Sequence, residues 1–219
     1  MKKIFFWLTV LIACAYGCKN KQASLENEAK DLRSRFTGFL KAIREMNIDS
    51  IQAYTYSKLF TILPRDQSRE SMERSYVFFK GKAELDSVKI DTIQPVFHID
   101  KGSYSIASYS MVIRMPLDST ENSTAKPSID TTGLKHSIGG RYAAPQSTLL
   151  ATLMRNEYGI EFTGMEEAGG MRTMRIRVMT IAAKDEFAKE WSFFTVTNDQ
   201  ALINKLFPGK ILEKLATYN

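Results

Sequence analysis

The chain has 219 residues, 44% of them hydrophobic and 25% charged, with 12 Gly, 6 Pro and 2 Cys. Those proportions exclude a collagen, a wholly disordered chain and a disulfide scaffold, and they fit one globular domain with a sizeable core. The 30 Lys and Arg against 24 Asp and Glu leave a net charge of +6, a mild excess that does not call for a nucleic-acid partner.

Lys2 and Lys3 precede an apolar stretch from Ile4 to Gly17, and the polar Lys19-Asn20-Lys21-Gln22 follows. A helix of that stretch would reach only about 21 Å, short of the roughly 30 Å hydrocarbon core, so residues 1–17 read as a secretion signal and not as a span. Two runs at its end, Leu11-Ile12-Ala13-Cys14 and Ala15-Tyr16-Gly17-Cys18, resemble the lipobox of bacterial lipoproteins. The first has the better letters. Cys18 is favoured by position and by chemistry, because cleavage before it keeps the apolar run at full length and discards Cys14, leaving no free thiol in an oxidising compartment.

The resemblance implies lipid attachment at Cys18, with a diacylglycerol on sulfur and a fatty acyl group on the amine. One chain binds a membrane only marginally, whereas three anchor permanently. Processing removes two lysines and takes the charge to +4. Residues 18–23 become a lipidated tether. Lipoproteins sent to the cell surface in some Gram-negative groups carry an acidic run after the cysteine; none follows Cys18, so the resemblance implies a chain facing the periplasm, with the outer membrane as the expected anchor site.

Residues 24–219 read as a single domain without internal repeats. Leu25, Ala29, Leu32, Phe36, Leu40, Ile43 and Met46 recur every three or four residues, so a long amphipathic helix runs from Ser24 to near Asn47. Asp49 and Gln52 form a capping-box pattern for a second helix, which Pro64 ends, and a third spans about Asp66–Phe79. The period then falls to two. Strands are expected around Val88–Ile90 and Val96–Ile99, a turn at Asp100–Ser103, and a long strand from Tyr104 to Met115. Ala107, Tyr109, Met111, Ile113 and Met115 face the core in that strand, opposite a wet side with Ser108, Ser110 and Arg114.

Residues 116–145 form an irregular Ser- and Thr-rich insert, followed by a helix to Tyr158. Ile160–Met165, a turn at Glu166–Gly170 and Met171–Ala183 read as a hairpin with Met174, Ile176 and Val178 inward and Arg175 and Arg177 outward. Trp191–Thr197 is a further strand. Asn198 caps a helix to Leu206, and an amphipathic tail carries Ile211, Leu212 and Leu215.

Helices followed by a curved, mostly antiparallel sheet, with one inserted loop and a late helix, make an α+β domain. That order resembles the NTF2-like (cystatin-like) roll over roughly residues 24–197. The chain also resembles lipoproteins of similar size with a Tyr-x-Lys-Leu-Phe-x-Ile-x-Pro stretch, here Tyr56–Pro64, a resemblance that implies no function.

Five of the ten aspartates open an Asp-Ser/Thr-aliphatic-or-Thr triplet, at Asp49, Asp86, Asp91, Asp118 and Asp130. The pattern resembles a periplasmic O-glycosylation sequon of one large group of Gram-negative bacteria, and chance would supply roughly one at most. Ser119 and Thr131, in the irregular insert, are the favoured acceptors. The competing explanation is turn and cap chemistry, which is preferred at Asp49.

His98 and Asp100 share a strand face as a candidate acid–base pair, but the other histidine, His136, lies in the insert, so no zinc site is expected. Arg175 and Arg177, with Arg172 and Arg141 nearby, would receive an anion unless Glu161 or Glu166 pairs with them across the hairpin. Tyr104, Tyr109, Trp191 and Phe193 would line the mouth of a pocket or fill the core. No cofactor is called for. The expected protein is a membrane-anchored, non-enzymatic periplasmic module binding an envelope protein or a small apolar ligand, and export argues against nucleic acid. The alternative is a roll-fold enzyme using His98, Asp100 or a pocket tyrosine.

Overall fold

A computed structural model describes residues 24–80, 83–117 and 160–218. The signal 1–17, the tether with Cys18, Ser119, Thr131, His136, nearly all of the 116–145 insert and the helix expected before Tyr158 lie outside the described residues.

The first helix, α1, covers residues 24–44 and buries Leu32, Phe36, Phe39 and Leu40, the stripe its periodicity marked. Met46, at φ 51°, turns the chain into α2 (Ile48–Tyr54). Asn47 and not Asp49 caps α2, accepting from the Ser50 amide at 3.0 Å. Asp49 sits in the first turn and pairs with Arg69, while the buried Gln52 side chain donates to Arg65 O at 2.9 Å. A 3₁₀ turn (Ser57–Thr61) and Pro64 lead into α3 (Arg65–Phe79).

Six strands follow: β1 (Glu84–Ile93), β2 (Phe97–Ile99), β3 (Gly102–Pro116), β4 (Ile160–Ala168), β5 (Met171–Lys184) and β6 (Ser192–Thr195). Two short helices close the chain, α4 (Gln200–Leu206) and α5 (Gly209–Ala216). Asp199, one residue later than the sequence suggested, caps α4 through the Leu202 amide at 2.9 Å. All strand pairings are antiparallel, in the order β1-β3-β5-β4, with β2 beside the start of β3 and β6 beside the end of β5. The domain is α+β, and its sheet is open.

The hairpin turn between β4 and β5 is tighter than the five residues expected. Gly169 and Gly170 alone form it, at φ 60° and 75°, the two left-handed positions of a turn whose twist matches the strands. Between β2 and β3, Asp100 and Lys101 make another two-residue turn, with the left-handed position at Asp100 alone, φ 53°. Strand β1 is bent by irregularities at Leu85/Ser87 and Ile90/Thr92, which makes it a poor template for a further strand.

One sheet face carries α1, α2 and α3. Phe36, Phe39, Tyr54, Tyr109 and Phe193 meet there with ring centroids 5.1–6.5 Å apart, and Trp191, Ala107, Val178 and Ala182 complete the cluster. Further along the same face, Ile113, Met174 and Ile176 form a smaller cluster, so the inward residues of β3 and β5 are those expected.

The other face is wet only at its far half. Toward the β2–β3 turn, Tyr104, Ile106, Ile181, Ala183 and Phe194 are buried with Ile203, Leu206, Phe207, Ile211 and Leu215 of the terminal helices and their link. Strands covered twice leave no side for polar groups unless these find partners. Ser105 donates to Gln94 O at 2.7 Å, and Ser108 meets Thr92 at 2.8 Å.

Candidate functional site

The segment after α2 lies along the free edge of β6, through the Tyr56 amide on Phe193 O at 2.9 Å. This places the Tyr56–Pro64 stretch against the terminal helices, and its named residues have structural work there. The Tyr56 ring stacks on Phe207 at 5.2 Å. Lys58 Nζ donates to Leu206 O at 2.6 Å, a cation on the last turn of α4, where unpaired carbonyls concentrate negative charge. Arg65 covers the Phe60 ring at 4.1 Å.

Beside this segment a cleft of about 380 Å³ opens between the β2–β3 turn, the loop after β5 and α5. Asp185 is its hub. Its Oδ1 accepts from the amides of Phe187 (2.9 Å) and Ala188 (3.2 Å), the Asx-turn geometry that bends the chain after β5. Its Oδ2 accepts from the phenols of Tyr56 (2.6 Å) and Tyr104 (3.2 Å). Burial, and then the neighbouring carboxylate, raise both phenols far above the ordinary tyrosine value. A phenol held protonated and already donating is a poor general base, so the four bonds describe a scaffold. Gly102 is part of it: the Tyr104 ring lies where a Cβ would sit, its Cζ 2.6 Å from that point.

His98 and Asp100 do not form a pair facing one cleft. His98 Nδ1 meets Ser103 Oγ at 3.1 Å and Nε2 lies 3.5 Å from Glu28, whereas Asp100 occupies the turn and lines the cleft. No group of three or more metal-ligating side chains occurs among the described residues.

The four candidate pocket residues and the two candidate anion-binding arginines are divided among three places. Tyr104 lines the cleft, while Tyr109, Trp191 and Phe193 are buried in the core beneath the helices. Tyr104 and Tyr109 are five apart in one strand, so period two puts them on opposite faces. Arg175 and Arg177 stand on the far, wet half of the sheet. Arg175 pairs with Glu166 at 2.7 Å, which lowers that carboxyl and raises the guanidinium, and Arg177 meets Asp91 at 3.3 Å and Glu161 at 3.7 Å. Their cross-strand carboxylates thus occupy them.

Of the Asp-Ser/Thr triplets within the described residues, those at Asp49, Asp86 and Asp91 have structural uses. Asp49 binds Arg69, Asp86 binds Arg114 at 3.1 Å, and Asp91 accepts from Ser110 at 2.6 Å.

The residues sequence reasoning passed over are Asp185, Tyr56, Lys58 and Phe187. An Asp directly after a long strand was the available signal for the turn; the phenols that reach it are 81 and 129 residues away in sequence, and no local pattern announces such pairs.

Fold and site together define an open-sheet α+β domain with one sheet face wet over its far half and a small cleft at the opposite end. No protein-family model, curated protein or solved structure matches this chain. No helix among the described residues is long and apolar enough to cross a membrane.

Proposed function

We propose that this chain is a lipid-anchored periplasmic module, held in the outer membrane through Cys18, that works by binding an envelope protein. The anchor rests on the Ala15–Cys18 run behind an apolar leader. The choice of a protein over a small apolar ligand rests on one observation: the helix-facing side of the sheet is filled by Phe36, Phe39, Tyr54, Tyr109 and Phe193. Such filling favours recognition through surfaces over recognition in an interior pocket. Catalysis at His98, Asp100 or a cleft tyrosine has less support, since His98 is turned to Glu28 and the phenols serve Asp185.

The test places photo-crosslinking side chains one at a time in intact cells, at Thr163 and Thr173 on the wet sheet face and at Glu70 on α3. A defined adduct from one surface, absent when Cys18→Ser releases the chain from the envelope, is the expected result. Adducts equal at all three sites, or a stoichiometric small molecule other than membrane phospholipid extracted from the purified protein, would contradict it.

A further inference from the structure

The cleft and the beginning of α1 lie at the same end of the molecule. Glu28 approaches His98 of β2 at 3.5 Å, and Asp31 pairs at 3.4 Å with Lys184, the residue before Asp185. The first turns of α1 therefore stand over the two segments that give the cleft Asp100, Lys101, Asp185, Glu186 and Phe187. The Gly169–Gly170 turn is at the other end of β5, a strand whose 14 residues span about 45 Å.

Residues 18–23 extend at most about 20 Å. With the sulfur of Cys18 at the bilayer interface, that reach brings the cleft end next to the headgroups and forbids an inverted placement on the Gly-Gly turn. The cleft suits such a position. Phe187 is 44% exposed, and its backbone is held on both sides, by Ser57 Oγ donating to its carbonyl and by Asp185 accepting from its amide. Asp185 is saturated, but Asp100, Glu186 and Lys101 have no ion-pair partner among the described residues. Both carboxylates line the cleft together with Tyr104. Opposite charges side by side next to a part-exposed ring, one face of which carries the Lys58 ammonium at 5.0 Å, match a zwitterion at the edge of an apolar layer and not an anionic surface.

We propose that this cleft docks a phosphoethanolamine headgroup of the anchoring membrane, its ammonium on Asp100 and Glu186 and its phosphate on Lys101, with Phe187 against the bilayer interface. The assignment rests on the lipid-anchor reading. It gives the anchored domain a fixed orientation, with the wet far half of the sheet held away from the membrane for a partner.

The probe is the lipid's own primary amine. Full-length protein purified from envelopes is first weighed intact to establish its lipidation, then reconstituted in phosphatidylcholine vesicles with and without phosphatidylethanolamine and treated with a water-soluble carbodiimide. That reagent joins a carboxylate to a contacting amine as an amide, with loss of water to the carbodiimide. Peptide mapping should find the lipid amide on Asp100 or Glu186 roughly tenfold above that on exposed Glu166 at the far end, because tethering concentrates the amine at the cleft. Lys101→Gln should lower the yield while near-UV dichroism stays unchanged. Lipidated protein whose adducts spread evenly over exposed carboxylates, or that couples free phosphoethanolamine equally well, overturns the headgroup site alone. Protein without lipid on Cys18 overturns the anchor reading itself.

Discussion

Raising the pH above 10 should unfold this domain well before its exposed tyrosines alone would predict. Tyr56 and Tyr109 expose only 1% and 3% of their surface, and burial raises both phenols well above the ordinary value of 10. A raised folded value means the native state keeps a proton that the unfolded state gives up. The stabilisation is therefore fully present below pH 10 and is lost as pH climbs from 10 toward the folded values. Each such tyrosine costs about 1.4 kcal/mol of stability at pH 11 and about 2.7 kcal/mol at pH 12, or roughly 3 and 5.5 kcal/mol for the two. Tyr104 and Tyr76 act in the same direction, the latter pushed up to about 12. Against a total stability of about 5–15 kcal/mol, cooperative unfolding is expected between about pH 11 and 12. Tyrosinate absorbance near 295 nm, followed together with far-UV dichroism, checks this. An early fraction of the tyrosines should ionise near pH 10 with structure intact, and the rest only with the loss of dichroism. Complete ionisation by pH 10.5 with unchanged dichroism would refute the reasoning.

Three further perturbations separate competing effects. At Gly38, helix propensity predicts that Ala gains about 1 kcal/mol, but a Cβ there would stand 2.9 Å from Tyr54 Cζ and closer to its hydroxyl, and overpacking of this kind costs about 1–3 kcal/mol. Urea denaturation should show Gly38→Ala destabilised and partly rescued by Tyr54→Phe; a stabilised single variant would mean that the ring simply moves. Tyr56→Phe removes one donor from Asp185 and should cost about 1.5–3 kcal/mol, with a smaller loss when Asp185 is already Asn; additive losses would deny the coupling. Gly170→Val must adopt φ near 75° and should lower the melting temperature, whereas Gly169→Asn should leave it unchanged or higher, since Asn suits the first position of such a turn.

Periodicity carried much of the fold into view before the structure did. The stripe Leu32, Phe36, Leu40 of α1 and the alternation Met174, Ile176, Val178 against Arg175, Arg177 in β5 each describe an element with one buried side, and one buried side is what a period records. The end of the sheet near the β2–β3 turn escaped because it is buried on both sides. Ser105 and Ser108 interrupt the apolar run there, and only distant partners, Gln94 and Thr92, make their burial tolerable. The cap positions slipped for a different reason: Asn47 and Asp49, or Asn198 and Asp199, are chemically equivalent choices, and the backbone decides between them. The cleft was the least visible feature, since Tyr56, Tyr104 and Asp185 converge only after the sheet and the terminal helices have packed.

The mass of the intact protein extracted from cell envelopes bears most directly on the anchored module. The account predicts a chain beginning at Cys18 and heavier than its residues by a diacylglycerol and one fatty acyl group. A mature chain whose mass equals that of its amino acids alone, with the Cys18 thiol open to alkylation, would contradict it.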